Sequence, residues 1–433
     1  MRIAFYTLGC KVNQYETQAL EQLFTARDHE LVPFEGAADA YLINTCTVTA
    51  VSDKKSRQII RRARKTAPDA VIAVCGCYPQ THPGDVEKLG VDLIGGTGDR
   101  TGFVALVERT ARERQPITAL DDAFRRLDFE QLPAGGLEGR TRAMLKIEDG
   151  CVNFCSYCII PYARGRVRSL PLERAAEQAR QLAEQGYREI VLTGIEISSW
   201  GQDLPGHPEL IDLLEGLCAA LPEGVRLRLG SLEPRTITED FCLRAARLPQ
   251  LCPHFHLSMQ SGCDTVLQRM NRKYDSARYY ESVKLLNGYF STPAITTDLI
   301  VGFPGETEEE FRQTLDFIQK CRFAAMHIFP YSRRPGTPAD KLPGQQPNAV
   351  KEERAHRAAA VAAEMEGRYL DQWIGQTVPV LFEEQRDGRW VGHTPQYTEV
   401  AVADVRPLHN VLLPVGITGR EGSLLCGTAA DSL

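Results

Sequence analysis

The sequence predicts an α/β protein in three parts: an N-terminal doubly wound parallel sheet, a central partial (β/α)6 barrel and a small C-terminal β-barrel. Two observations carry this. Short apolar runs alternate with amphipathic stretches from residue 1 to about 112 and again from 142 to 373, as in parallel sheets covered by helices. After Gln376 the helical pattern stops, and short runs of β-forming residues separated by turns take over. The length of 433 residues suits about three domains.

Residues 2–8 read as the first strand and 14–27 as the helix that returns from it. Strands at 40–44, 70–74 and 91–95, with a helix at 53–65, complete a domain placed at 1–120. Residues 121–140 carry mixed charges, Pro133 and the pair Gly135-Gly136, and read as a linker with little core of its own. The barrel is placed at 141–372. Its strands are expected at 143–147, 189–193, 226–229, 254–259, 294–301 and 325–330, with helices at 172–185, 239–246, 276–289 and 306–321. Residues 350–373, rich in Ala, Glu and Arg, read as one more long helix. Strands at 378–383, 389–394, 399–402 and 411–416, with a turn at Asp387-Gly388, place the small β-barrel at 373–433.

Composition excludes several classes. The hydrophobic fraction of 43% and charged fraction of 24% are those of an ordinary globular protein. A net charge of −6 argues against an overall basic nucleic-acid binder but leaves room for a local basic patch. The apolar start reaches Lys11 too soon to be a signal-peptide core, and no stretch approaches the roughly 18 apolar residues that cross a membrane. A cytoplasmic protein without membrane contact is expected. Thirteen cysteines, an odd number, then argue for metal binding or catalysis over a disulfide framework.

The sharpest motif is Gly150-Cys151-Val-Asn-Phe-Cys155-Ser-Tyr-Cys158. It follows the first expected barrel strand, on the face where such barrels keep their active sites. Three thiolates are one short of the four that fill a cubane iron–sulfur cluster, so one iron is left open to a substrate ligand. A zinc site would usually offer a second pair of ligands, and none follows. Here the chain resembles the radical S-adenosylmethionine superfamily over residues 140 to 370. The resemblance implies that S-adenosylmethionine chelates the open iron and is cleaved reductively to a 5′-deoxyadenosyl radical. It makes Cys151, Cys155 and Cys158 the catalytic cluster ligands. It further implies that Tyr157, Thr193, Gly194, Ser231, Gln260, Ser261 and Asp298 contact the cofactor. Each of the strand-end positions among them also reads as a plain capping residue.

Cys10, Cys46 and Cys77 each follow an expected strand of the N-terminal domain. In a doubly wound sheet the C-terminal strand ends share one edge, where ligands bind. By topology alone, convergence of three thiols and three separate buried cysteines remain equally open. Cys75 competes with Cys77, but falls inside the strand run, whereas Cys77 lies past Gly76 in the loop. A three-cysteine domain, then Cys-x-x-x-Cys-x-x-Cys, then a small β-barrel is similar to the methylthiotransferase family across the whole chain. The runs 154–165 (FCSYCIIPYARG), 256–262 (HLSMQSG) and 297–307 (TDLIVGFPGET) add to that likeness. The resemblance implies an auxiliary [4Fe–4S] cluster on Cys10, Cys46 and Cys77 and an RNA-contacting TRAM domain at the C-terminus. It further implies a division of labour. One cluster makes the radical, and the other carries a sulfur that one S-adenosylmethionine methylates.

Within that family, residues 7–17 (TLGCKVNQYET) resemble the group that attaches a methylthio group to C2 of N6-threonylcarbamoyladenosine at position 37 of tRNA, next to the anticodon. Other members act on isopentenyladenosine in tRNA or on a ribosomal-protein aspartate. A non-catalytic iron–sulfur RNA-binding or sensor protein is the alternative from another class. Glu196 departs from the His or Asn more usual at its place. For RNA, Arg61 and Arg62 lie on a basic helix with Lys54, Lys55, Arg57, Arg64 and Lys65, which reads equally as a solvated face. Arg164, Arg166 and Arg168 follow the radical motif and are better placed to hold a substrate backbone. Residues 371–433 carry eight acidic and four basic side chains, so RNA binding there rests on a few residues such as Arg389, His393 and Tyr397. The implied partners are tRNA, an electron donor such as flavodoxin or ferredoxin, and a sulfur source. The chain is expected to act as a monomer.

Overall fold

A computed structural model describes residues 1–136 and 140–430. Residues 137–139 of the expected linker and 431–433 of the expected β-barrel lie outside the described residues.

The N-terminal sheet has β1 (Arg2–Thr7), β2 (Glu30–Val32), β3 (Ala40–Thr45), β4 (Val71–Gly76), β5 (Leu93–Gly95) and β6 (Ile117–Ala119), all parallel in the order β2-β1-β3-β4-β5-β6. Every residue of β3 and β4 is buried, because helices cover both faces. Lys11–Thr25 and Arg100–Glu113 pack one face around Leu20, Phe24, Phe103 and Val107. Ala50–Thr66 packs the other around Ile60 and Ala63. Its first turn is capped by Thr49, whose hydroxyl accepts the Ser52 amide at 3.1 Å.

The central part holds β7 (Arg142–Lys146), the two-residue strands β8 (Glu148–Asp149) and β9 (Arg168–Ser169), and β10 (Glu189–Thr193). They are followed by β11 (Arg226–Arg228), β12 (Ser231–Leu232), β13 (His254–Leu257), β14 (Ala294–Val301) and β15 (Ala325–Pro330). Two parallel sheets, β11-β10-β7 and β12-β13-β14-β15, follow one another around an open barrel. The third strand expected at 226–229 is β11, and past Leu229-Gly230 the chain adds the short β12, which was not expected. A Cβ on Gly230 would stand 2.8 Å from the Leu192 carbonyl, so the close approach there needs glycine. Alternation along the strands sends Phe255, Leu257 and Leu299 to the helices and leaves His254, His256 and Asp298 facing inward.

A closed five-stranded barrel follows, in the order β16 (Thr377–Arg386), β17 (Arg389–His393), β18 (Glu399–Val402), β20 (Leu424–Ala429) and β19 (Leu412–Glu421), with β19 returning to β16. Leu370 and Trp373, at the end of the helix Asn348–Asp371 and just beyond it, join its core with Val380, Phe382 and Leu425. Closure leaves no unpaired sheet edge. The stretch expected as a linker is instead tied down. The Tyr15 hydroxyl donates to the Leu132 carbonyl at 3.0 Å, the Gln22 amide donates to Gly135 at 2.8 Å, and Leu132 is buried. Among the described residues no helix is long and apolar enough to cross a membrane.

Candidate active site

Cys151, Cys155 and Cys158 lie on the loop that leaves β8 and runs into the short helix Ile160–Arg164. β8 and β9 pair antiparallel at the base of this loop. Gly150 has φ +94°, and a Cβ there would collide with the Arg166 carbonyl, so only glycine starts the loop. The Cys151 amide donates to Gly165 at 3.0 Å and the Cys158 amide to Cys155 at 2.9 Å. Burial pushes the Cys158 thiol up to about 12, and Cys155 adds to it; Cys151 is raised by burial too, with Glu196, Cys158 and Cys155 adding to it. Arg272 Nη1 donates to Cys155 Sγ at 3.1 Å. Its guanidinium is held from behind by the Tyr274 hydroxyl at 2.9 Å and the Ser258 carbonyl at 3.2 Å.

Cys10, Cys46 and Cys77 lie just past the C-terminal ends of β1, β3 and β4, as the topology requires. Gly9 (φ +113°) brings the first loop against the second, so that a Cβ there would stand 3.0 Å from Cys46 Sγ. Asn13 binds the loops together, donating to the carbonyls of Leu8 at 2.8 Å and Thr45 at 2.9 Å. Burial pushes the Cys77 thiol up to about 12, with Cys46 and Cys10 among the groups raising it further. Cys75 instead points into the sheet core with Phe103 and Val104, and neither Cys10 nor Cys46 acts on it.

Among the described residues, no three His, Cys, Asp or Glu side chains stand close enough to grip a single ion. A cubane asks for wider spacing, because each thiolate binds its own iron. Two sets of three thiols, each set within electrostatic reach of itself, match that donor chemistry.

A buried ionic network joins the two loops. Glu16 is fully buried and is met by Arg100 at 2.8 Å, Lys146 at 3.1 Å and Arg164. Burial opposes its charge, but these three cations hold its carboxyl well below the usual range. Asp149 takes Lys146 at 2.7 Å and Arg168 at 3.4 Å. Arg334 reaches from beyond β15 to Asp53 and Thr47 at 2.6 Å each, fixing the segment after Cys46.

Inside the barrel opens a cavity of about 500 Å³, walled by Lys11, Ser231, His254, His256, Asp298, His327 and Tyr397 among others. Of the residues expected to contact the cofactor, Ser231 and Asp298 line it, and Asp298 meets His256 Nε2 at 3.3 Å. Thr193 is buried at the end of β10, and a Cβ on Gly194 would stand 2.7 Å from Glu148 Oε2. Tyr157 packs edge-on against Phe303. Gln260 (φ +68°) bridges β14 by backbone bonds, and Ser261 turns its hydroxyl to Thr314 at 3.3 Å, away from the cavity. Glu196 accepts from Ser199 Oγ at 2.6 Å, and its amide donates to Glu148 Oε2 at 2.7 Å. Glu148 is buried with Oε1 unpartnered, and burial holds its carboxyl well above the usual range.

The expected RNA contacts separate. Arg164 is fully buried against Glu16 and Asn13, and Arg168 is buried against Asp149 and the Arg164 carbonyl. Both act inside the protein and are out of reach of an RNA backbone. Arg166 and Arg61 are exposed and, among the described residues, make no side-chain hydrogen bond or ion pair; Arg62 is exposed and touches Glu35 at 3.4 Å. Arg389 is held by both oxygens of Glu421, and His393 by Glu383 at 2.7 Å, which neutralises much of what that barrel offers a phosphate. Lys11, His254, His327 and Arg272 escaped the sequence reading. For His254 the signal was the run of polar residues at alternate positions of β13 and β14.

Comparison with known proteins agrees with this layout. The Radical SAM superfamily model matches residues 145–318, and the Uncharacterized protein family UPF0004 model matches 2–96. The threonylcarbamoyladenosine tRNA methylthiotransferase MtaB of Bacillus subtilis (strain 168) is 41% identical over 421 residues, 96% of this chain and 93% of that protein. A tRNA-2-methylthio-N(6)-dimethylallyladenosine synthase of Pelotomaculum thermopropionicum is 32% identical over 435 residues, covering 97% and 95%. Among solved structures, the radical S-adenosylmethionine methyltransferase TsrM from Kitasatospora setae shares the fold, with a TM-score of 0.56 and 17% identity over 78% of this chain and 73% of that one.

Proposed function

The chain belongs to the radical S-adenosylmethionine tRNA methylthiotransferases, and on that premise we propose that it attaches a methylthio group to C2 of N6-threonylcarbamoyladenosine at position 37 of tRNA, using two [4Fe–4S] clusters. S-adenosylmethionine and one [4Fe–4S] cluster follow from the family; the second cluster is assigned to Cys10, Cys46 and Cys77. The carrying observation is that one cavity is walled both by Lys11, next to Cys10 in the N-terminal domain, and by Ser231 and Asp298 of the barrel. The chemistry that bound clusters and S-adenosylmethionine bring is one-electron activation of an unreactive C–H bond and a source of sulfur, neither within reach of ordinary side chains.

The chain's own residues do the positioning. Arg272 places a fixed cation against Cys155. Asn13, Arg164 and Arg334 hold the loops that carry the cysteines. Arg61 and Arg166 supply uncommitted cations for phosphates. An electron donor such as flavodoxin or ferredoxin and a sulfur source complete the cycle, and the chain acts as a monomer in the cytoplasm.

The test is anaerobic reconstitution followed by reaction with S-adenosylmethionine, a reductant and tRNA bearing threonylcarbamoyladenosine, read by mass spectrometry of the nucleosides. The methylthio product is expected. Product on dimethylallyladenosine tRNA alone would transfer the chain to the other group of relatives. Failure to form 5′-deoxyadenosine would remove the catalytic reading altogether.

A further inference from the structure

Three nitrogen-bearing side chains, Lys11, His254 and His327, line the cavity. Among the described residues, the Lys11 side chain makes no hydrogen bond or ion pair. The His327 ring touches the rings of His256 and Phe329 but forms no hydrogen bond. His254 is only 9% exposed, and its Nδ1 is buried with no partner, while its Nε2 has Thr296 Oγ1 at 3.4 Å. A buried ring nitrogen left unpaired costs free energy unless something else meets it.

The acids that line the cavity are already engaged. Asp298 faces His256 at 3.3 Å, Glu399 is paired with Arg386 at 3.0 Å, and Glu366 lies in the field of Arg420. The Tyr397 ring carries Arg228 at 4.8 Å and Arg142 at 5.0 Å, which are paired with Glu189 and Glu383. The same convergence appears at His254, which is pushed well below its ordinary pKa by burial and then by Arg228, His256 and Lys11. This corner of the cavity therefore offers donors, with Lys11 a cation that has no ion-pair partner among the described residues.

We propose that Lys11, His254 and His327 form a carboxylate subsite that holds the threonyl group of the substrate base. The proposal rests on the threonylcarbamoyladenosine reading above and names the residues that select it. A threonylcarbamoyl group differs from a dimethylallyl group by a carboxylate and a hydroxyl. A carboxylate only accepts hydrogen bonds, and entering a cavity without donors would cost it its hydration. Here Lys11 and His327 are free to receive it beside His254, and charge-assisted bonds of this kind are the strong ones. A dimethylallyl group offers none of these donors an acceptor, so the corner discriminates by attraction to the acid.

The experiment uses the reconstituted holoenzyme and three anticodon stem-loops, bearing threonylcarbamoyladenosine, its methyl ester, or dimethylallyladenosine. Wild-type enzyme is expected to lose roughly ten- to a hundredfold in kcat/KM from free acid to ester, carried mainly by KM. In Lys11→Met and His327→Leu the free acid should fall to the level of the ester. Equal turnover of acid and ester by the wild type overturns the subsite, as does an equal loss on both substrates in the variants. If the variants fail to load iron, the wild-type comparison of acid and ester decides alone. Turnover of dimethylallyladenosine with none of the acid overturns the parent reading, a result distinct from the failure of the subsite.

Discussion

Cys75 and Cys77 stand two residues apart and have opposite surroundings. Gly76, at φ +98°, takes the chain out of β4 between them, and a Cβ there would collide with the Thr45 carbonyl. Cys75 packs with Phe103 in the sheet core, whereas Cys77 lies within reach of Cys46 and Cys10. Cys75→Ala is therefore expected to load as much iron as the wild type, and Cys77→Ala to lose about one cluster's worth. Equal iron in both variants, measured after reconstitution, would contradict the assignment. The cysteines were legible because each sits among small and polar residues at a strand end. Arg164 was not: its place beside a reactive loop suggested substrate, and only the fold reveals Glu16 and Asn13 closing over it. His254 and His327 were hidden for the opposite reason. A polar residue in a strand reads as solvated until the barrel turns that face inward.

At the scale of elements, the long strands and helices were legible because each buries a periodic apolar face. β2 and β6 were not, since three-residue edge strands such as Ile117–Ala119 carry almost no pattern. β20 was missed because its Cys426-Gly427 interrupts the apolar run. The far end of the open barrel, away from the cysteine loop, is pinned by Glu189, fully buried with Arg228 at 2.7 Å and Arg226 at 2.8 Å. Burial alone would raise its pKa, but Arg228, Arg226 and Arg142 prevail and hold it at about 2, against an ordinary 4.5. Its contribution is thus complete above pH 4.5 and is lost as the pH falls toward 2. Glu189→Gln is expected to cost about 3–5 kcal/mol at neutral pH, because it leaves buried guanidinium groups uncompensated. That gap should close between pH 4.5 and 2, read from denaturation midpoints of the two chains stripped of iron. A gap that stays constant across that window would show that Glu189 is not the charged partner.

In the whole molecule, three units meet around one cavity. Glu16 from the N-terminal domain accepts Lys146 and Arg164 of the barrel, Arg334 of the barrel reaches back to Asp53, and Tyr397 from the small β-barrel closes the cavity wall. These ion pairs tie together the two units that carry the cysteine sets, whose separate roles can be tested. The most direct measurement compares wild-type enzyme with the triple variant in which Cys10, Cys46 and Cys77 are all Ala. Iron per chain, 5′-deoxyadenosine and methylthio-tRNA are each quantified after anaerobic reconstitution. The triple variant should hold half the iron, still cleave S-adenosylmethionine, and form no methylthio product. Unchanged iron, or methylthio product from the triple variant, would contradict the two-cluster account.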